Sequence, residues 1–266
     1  MANKKITELT SATTPLAGTE EIAIVQGGET KKVAISEVGG GGDVIDLDVK
    51  YPILYQIYTT FNNLISSHLS FAVFSGTVSN VFINGGNIFL RKVLSATTAG
   101  SSAQARATTG IGSNQGFYLE LRVDTLDTTN DIATRFSYGF AGTAGFGNTN
   151  PSDGIQDVLS FGADSSDTNC QIISKYSVGA ELTKVDLGSN FPKLANHSYQ
   201  IIFTREKGES NITYFVRNIT NGFTASGTVV QTNAQTLSPC IYRNNGTASN
   251  AVGFGINRIN IRMTDE

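Results

Sequence analysis

The chain has 266 residues, a formal net charge of −3 and only 15% charged residues, whereas typical soluble domains carry roughly a quarter. Lysines and arginines are scattered and form no basic stripe, which argues against nucleic-acid binding. No stretch approaches the ~20 apolar residues that a membrane span needs, so we predict no membrane insertion.

The first 38 residues contain a hairpin pattern. Two alternating apolar runs, EIAIV and KKVAI, flank a turn that contains Gly27 and Gly28. Paired glycines between such runs favour tight hairpin turns, because these turns need positive φ angles. A two-stranded hairpin is marginal by itself in water. The pattern therefore predicts a hairpin module over residues 1–38 that depends on contacts with something else.

Residues 39–69 are predicted to connect this module to the rest of the chain. They begin with four consecutive glycines, a flexible break. Leu54, Ile57, Phe61 and Leu64 then follow the a/d spacing of a coiled coil. So short a seam is marginal as an isolated helix and becomes useful where several copies meet, so we predict a helical connector in a homotrimer. A single amphipathic helix and a β segment, which the Tyr, Ile and Thr content favours, stay open as alternatives.

Beyond Ser70 the apolar period changes to two, which is typical of strands. The run FYLELRVD places Phe117 and Leu119 on one face, and RFSYGFA alternates in the same way. Two runs around the charged turn KGE form a second hairpin pattern. Many short strands with turn signals between them predict an all-β fold, an antiparallel jelly-roll sandwich over residues 70–266.

The C-terminal run AVGFGINRINIRM changes its apolar phase part-way along. Val252, Phe254 and Ile256 alternate on one face, whereas the apolar positions that follow, from Ile259 onward, are shifted by one residue. A β-bulge near Asn257–Arg258 would produce this shift.

The sequence gives little support to catalysis. His68 and His197 are the only histidines, and no nucleophile elbow, zinc-protease motif or P-loop occurs. Glu120 and Asp124 share a strand face but lie about 13 Å apart along an extended strand, too far for a shared hydrolytic pair. We read them as part of a charged ladder on a solvated face and predict that the protein is not an enzyme and has no cofactor.

The sequence also contains no strong pattern for a metal site or for thiol chemistry. The oxygen-rich run DSSDTN, Asp164–Asn169, lacks the acidic spacing and glycine of an EF-hand loop, so we interpret it as a polar turn, with calcium as the less favoured alternative. Cys170 and Cys240 are predicted to be separate buried thiols rather than a disulfide, and we predict no metal site. No ligand-binding residue can be named, although the long polar loops 97–116 and 142–154 could carry recognition.

The N-terminal stretch resembles a module found at the start of many bacteriophage fibre and other virion structural proteins. The matching motifs are K-I-T-x-L at 5–9, L-x-G-x-E at 16–20, QGG at 26–28 and T-K-K at 30–32. The resemblance implies attachment to other virion proteins, by edge pairing of the hairpin, and a location on the virion surface after assembly in the host cytoplasm. The residues it implicates in anchoring are Leu16, Gly18, Ile22, Ile24, Gln26, Gly27, Gly28, Lys32, Val33 and Ile35.

The late strands in HSYQIIFTREKGESNITYFVRNITNGF resemble the back-sheet hairpin of concanavalin-like lectin sandwiches. Together the two resemblances imply a phage fibre or spike whose sandwich projects outward and adheres to a host-surface glycan. A head fibre or capsid decoration protein with a purely structural role is the alternative.

Overall fold

The structure is a computed structural model, and it describes strands of the N-terminal part and most of the chain beyond residue 88. The described ranges are 21–26, 29–34, 55–58, 65–66, 69–70, 72–75, 77–83 and 88–263, the last without 108–109, 113–114, 126–132, 143–145, 147–148, 154–156, 177–181, 194–196 and 232–235. Side chains are described from residue 93 onward. The chain divides into two compact units, Met1–Leu47 and Asp48–Glu266.

The first unit contains the predicted hairpin. Strands β1 (Glu21–Gln26) and β2 (Glu29–Ala34) pair antiparallel, with Gln26 opposite Glu29, so that two residues connect them. Of the residues implicated in anchoring, Ile22, Ile24, Gln26, Lys32 and Val33 lie in these strands; Leu16, Gly18, Gly27, Gly28 and Ile35 lie outside the described residues. The hairpin prediction is confirmed, whereas its anchoring role stays a prediction.

The second unit is built from two antiparallel sheets. The strands of the eight-stranded sheet are β3 (Tyr55–Tyr58), β7 (Thr77–Ile83), β8 (Ile88–Leu94), β10 (Phe117–Thr125), β15 (Ser198–Arg205), β16 (Asn211–Asn218), β17 (Thr224–Val230) and β19 (Gly253–Met263). Their order is β17-β16-β15-β10-β19-β8-β7, and β3 also pairs with β19.

The other sheet has seven strands. They are β6 (Ala72–Ser75), β9 (Ser102–Arg106), β11 (Arg135–Ala141), β12 (Val158–Ala163), β13 (Gln171–Lys175), β14 (Leu182–Asp186) and β18 (Ser238–Asn244), in the order β14-β13-β12-β11-β18-β9-β6. A short separate pair is formed by β4 (Ile65–Ser66) and β5 (Leu69–Ser70). The all-β antiparallel sandwich is confirmed.

The core lies between the inner faces of the two sheets. Alternate residues of β10 supply it from one sheet, and alternate residues of β11 supply it from the other, as their period of two predicts. Phe117 and Phe140 meet there with ring centroids 4.9 Å apart and an edge-to-face geometry, one of the favoured arrangements of aromatic pairs. Because the core takes every second residue of these strands, the residues between them project from the outer faces of the sheets.

The predicted bulge is present in β19. Arg122 lies opposite Arg258 and Val123 lies opposite Ile256, so Asn257 is an extra residue between these pairs. The shift lets Phe254, Ile256, Ile259 and Ile261 all enter the core, which the unbroken alternation of a regular strand would not allow.

The helical form of the predicted connector is wrong at Tyr55–Tyr58. These residues form strand β3, in which Ile57 lies opposite Ile259 of β19. Tyr-Gln-Ile-Tyr is rich in aromatic and β-branched residues, which prefer a pleated strand once a neighbouring strand offers hydrogen bonds. The β alternative is therefore confirmed at this segment. Leu54, Phe61 and Leu64 lie outside the described residues, and trimer formation stays a prediction.

Within the part of the chain that the structure describes, no helix has the length and apolar character needed to cross a membrane.

Candidate binding pocket

A pocket of about 330 Å³ opens beside the bulge of the eight-stranded sheet. Its wall combines β10 and β15 with the bulge residue of β19 and the turn after β16. The lining residues are Arg122, Val123, Asp124, Ser198, Tyr199, Ile219 and Asn257. Val123 and Tyr199 belong to the core face, whereas Arg122 and Asp124 alternate with core residues and therefore project from the opposite face.

Small residues on both sides of Asp124 make room for this pocket. Asp124 lies directly opposite Ser198 on β15 and opposite Gly255 on β19. Directly opposed residues of antiparallel strands project from the same face. Glycine has no side chain and serine has a short one, so the space on either side of Asp124 is left open. The bulge then places Asn257 at the rim, which fits the general use of bulges to redirect a side chain.

The carboxylate of Asp124 forms the floor. The residue is 8% exposed, and its Oδ1 accepts a hydrogen bond from the Ser198 hydroxyl. Burial raises the pKa of Asp124 above its ordinary value, and the Ser198 hydrogen bond opposes part of that rise. Among the described residues no basic group pairs with this carboxylate. It is a hydrogen-bond acceptor held in place by one hydroxyl.

Arg122 forms one side of the pocket and is tied to a neighbouring carboxylate. Its Nε donates to Glu120 Oε1 at 3.3 Å, and the same oxygen accepts from Gln200 Nε2 at 2.8 Å. Glu120 Oε2 lies 3.3 Å from Arg258 Nε. Glu120 is only 3% exposed. The expected solvated ladder is therefore wrong for Glu120 and Asp124, because neighbouring strands bury both carboxylates.

The lining also contains the aliphatic side chain of Ile219. Ile219 is 44% exposed and lies in the turn after β16. Its amide donates to Ser198 O at 2.8 Å, and Gly222 N donates to Asn218 O at 2.8 Å. Asn218 and Asn221 also donate their side-chain amides to Asn190 O, both at 2.9 Å. The turn holds Ile219 in position beside the polar floor.

Asp164 and Asp167, the two carboxylates of the acidic run Asp164–Asn169, both bind a lysine. Lys184 Nζ donates to Asp164 Oδ2 at 2.7 Å and to Asp167 Oδ2 at 2.8 Å. The side-chain oxygens are further used by backbone amides of Ser152 and Asp164. Among the described residues no group of three or more His, Cys, Asp or Glu side chains could hold a metal. The polar-turn interpretation is confirmed, with a lysine ammonium supplying the positive charge.

A second lysine supports the same turn from inside. Lys193 is 1% exposed, and its Nζ donates to Asp164 O at 2.6 Å and to Ser165 O at 2.8 Å. Burial lowers the pKa of Lys193 to about 8; the nearby Asp167 carboxylate acts in the opposite direction. The amine spans two backbone carbonyls, so its role is to hold the turn.

Cys170 and Cys240 are free and buried, as predicted. Burial raises the pKa of each thiol to about 12, which makes both thiols poor nucleophiles. His197 is half-buried and its Nδ1 lies 2.8 Å from the Asn218 amide nitrogen, so it belongs to the scaffold of the turn.

Parts of this pocket are visible in the sequence, although the pocket itself is not. The alternation along β10 places Asp124 in a carboxylate ladder, and the phase change in β19 predicts the bulge at Asn257, but neither pattern brings the two together. The alternation along β15 could have placed Ser198 beside Asp124 once the strand pairing was known. None of the described residues of loops 97–116 and 142–154, the expected recognition loops, lines this pocket.

No protein-family model and no curated protein matches the chain. Solved structures do share its architecture. The lectin UEA-II complexed with galactose is 12% identical, with a TM-score of 0.54 over 80% of this chain and 100% of that chain. The fold is that of the legume lectins. The lectin I from Ulex europaeus, in complex with the methyl glycoside of alpha-L-fucose, is 13% identical, with a TM-score of 0.53 over 79% of this chain and 97% of that chain.

A protein of unknown function from Shewanella oneidensis MR-1 is also similar, with 15% identity and a TM-score of 0.53 over 79% of this chain and 84% of that chain. The lectin-sandwich resemblance of residues 197–223 is thus confirmed at the level of the fold. Identities this low show the fold alone. The bacteriophage resemblance of residues 5–38 receives no support from these matches and stays a hypothesis.

Proposed function

We propose that this protein is a bacteriophage virion appendage, a fibre or spike, whose sandwich binds a host-surface glycan. The observation that carries the proposal is the presence, in one chain, of a lectin-like sandwich and an N-terminal hairpin whose sequence resembles virion-attachment modules. Two structures with the same fold contain, by their names, galactose and a fucose methyl glycoside. Carbohydrate binding by this chain is inferred from that fold and from the pocket chemistry.

The hairpin supports the attachment half of the proposal. Strands β1 and β2 pair only with each other among the described residues, so each has an outer edge with backbone groups that another chain can use. Edge pairing is a general mode of strand-to-sheet recognition. In the proposed assembly, residues 1–38 bind another virion protein or a neighbouring copy, the appendage is a homotrimer and the sandwich faces outward.

The binding half is tested by presenting the labelled full-length protein to an array of bacterial and host-type glycans. We expect retention on a defined set of related saccharides and competition by the free sugar. The same saccharides should be recovered unaltered after prolonged incubation, because the proposal assigns binding and no hydrolysis. Absence of any saccharide-specific retention would contradict the glycan-binding function.

The virion half is tested separately by immunogold labelling of phage particles from the strain that encodes the sequence. Antibodies against the full chain should label the tail region for a fibre or spike. Labelling of the capsid instead would favour the decoration role, and unlabelled particles would exclude both. Light scattering of the full-length protein should give the mass of three chains.

A further inference from the structure

We infer that the pocket beside the β19 bulge is the saccharide site, and that it takes one uncharged hexopyranose unit with adjacent free hydroxyl groups. The site formed by Asp124, Asn257, Arg122 and Ile219 would then be the place where the proposed function operates. This inference rests on the proposed glycan binding, and it adds the location of the site and the class of sugar.

The floor of the pocket requires hydrogen-bond donors from the ligand. An ionised carboxylate only accepts hydrogen bonds, through two oxygens. Asp124 is buried and its Oδ1 is bonded to the Ser198 hydroxyl. Hydroxyl groups on adjacent ring carbons present two donors at a spacing that one carboxylate can accept. A hydrogen bond to a charged acceptor is stronger than one between neutral groups, so such a polyol gains most at this position.

Asn257 and Arg122, at the rim of the pocket, supply hydrogen-bond donors. Asn257 carries both a donor and an acceptor, and Arg122 carries donors only. The Arg122 side chain is 41% exposed, so its guanidinium is accessible from the pocket while Nε is bonded to Glu120. Ligand oxygens can therefore accept at the rim while ligand hydroxyls donate at the floor. This alternation matches a sugar ring, on which every hydroxyl both donates and accepts.

Charge selects a neutral sugar over a charged one. Asp124 and Arg122 both line the site, and the ion pairs of Arg122 and Arg258 are with Glu120 rather than with Asp124. An anionic sugar would place its charge near the buried Asp124 carboxylate, and a cationic amine would face Arg122. Like charges in close contact repel each other near a protein surface, where solvent screening is weaker than in bulk water. A neutral polyol avoids both contacts.

The remaining wall fits the apolar face of a pyranose. Ile219 is exposed and held rigidly by its turn, and it can cover the C–H face of a ring whose hydroxyls point to Asp124 and Asn257. The volume limits the ligand to one unit. About 330 Å³ lies at the lower end of the ligand pockets of proteins, which span roughly 300–1,000 Å³. Longer glycans would place a single residue here and extend into solvent.

The test uses the full-length protein and a panel of methyl glycosides of glucose, galactose, mannose, fucose and N-acetylneuraminic acid. Binding of each glycoside is measured by saturation-transfer NMR. Each is titrated to about tenfold above a Kd of about 1 mM, the range expected for a single sugar unit. We expect at least one neutral glycoside to bind and N-acetylneuraminic acid to give no signal.

Three variants locate the site. Asp124→Asn keeps the shape and the Ser198 hydrogen bond but removes the charge, and we expect about tenfold weaker binding. Ile219→Ser should weaken binding by a similar factor while leaving the fold intact, because the side chain is exposed. The matched control is Phe223→Ser, which alters a 50% exposed residue of the same turn that does not line the pocket. It should leave the Kd unchanged.

The outcomes separate the two proposals. If a glycoside binds the wild type and both pocket variants with the same Kd, the saccharide site lies elsewhere. The proposed function would then still stand. Preference for the anionic sugar would overturn the assigned ligand class. If no glycoside binds and the glycan array is also empty, the glycan-binding function itself falls, and this inference falls with it.

Discussion

Arg258 of β19 contacts Glu120 diagonally on the neighbouring strand β10. Its Nε lies 3.3 Å from Glu120 Oε2, although Arg258 is directly opposite Arg122 in the register. The Glu120 carboxylate therefore lies between two guanidinium groups on the outer face of the sheet. It separates like charges that the strand pairing would otherwise bring together.

Removing this carboxylate should destabilise the fold. Glu120→Ala leaves the partly exposed Arg122 and Arg258 side by side with no carboxylate between them, and we expect the free energy of unfolding to fall by about 2 kcal/mol. The measurement is urea-induced unfolding of the variant and the wild type. Glu209→Ala, in the exposed turn after β15, is the control and should change stability by less than about 0.5 kcal/mol. Equal stability of the two variants would show that Glu120 has no such role.

Lys193 should give the stability of the protein a distinct pH dependence. Its folded pKa of about 8 lies below that of an unfolded lysine, so the unfolded chain binds more protons between about pH 8 and pH 10.5. The free energy of unfolding should therefore rise with pH across this window, by about 2 kcal/mol relative to Lys193→Met. Below about pH 7, where the amine is protonated in both states, the difference between the two proteins should be flat.

Comparison with the variant isolates Lys193, because the buried tyrosines titrate in both proteins. Asp164, Asp167, Arg243 and Cys170 also act on this amine, and both proteins retain them. Parallel curves from pH 7 to 10.5 would mean that the amine is not buried as a charged group.

Gly246 should tolerate no side chain. Its φ is +61°, and a Cβ would collide with the backbone oxygen of Ala133. Gly246→Ala should therefore cost about 3 kcal/mol, the sum of an unfavourable backbone conformation and the displacement of a neighbouring strand end.

Gly208 is the matched position. Its φ is +77°, and no atom outside Gly208 and its two chain neighbours lies within 4 Å of the position that a Cβ would take, so Gly208→Ala should cost only about 1 kcal/mol. Thermal unfolding of both variants gives the comparison, and similar losses would contradict the collision with Ala133.

The thiols of Cys170 and Cys240 should be unreactive in the native state. With a pKa of about 12, only about 10⁻⁴ of each thiol is ionised at pH 8. Reaction with a chromogenic disulfide reagent should therefore be negligible over an hour in buffer and complete within minutes in guanidinium chloride. Rapid native labelling of either cysteine would indicate that local opening exposes it.

Much of the sandwich could be predicted from alternation alone. The inward residues of β10 and β11, the hairpin of β15 and β16 and the bulge at Asn257 each follow from a period of two or from a break in it. The seam of Leu54, Ile57, Phe61 and Leu64 could not be decided in this way, because a short aromatic run satisfies either period. The neighbouring strand β19 decides it for Ile57.

By itself, the sequence determined the strand character of β10, β11, β15 and β16, the apolar face of β10 and β11, and where the last strand changes phase. These are local properties, because side-chain alternation and turn chemistry depend on residues near one another in the chain. Only the tertiary structure decided that Asp124 is buried beside Ser198, 74 positions away, and that lysines satisfy the Asp164 turn. Strand order and register bring such residues together, and a single sequence does not specify which distant strands will pair.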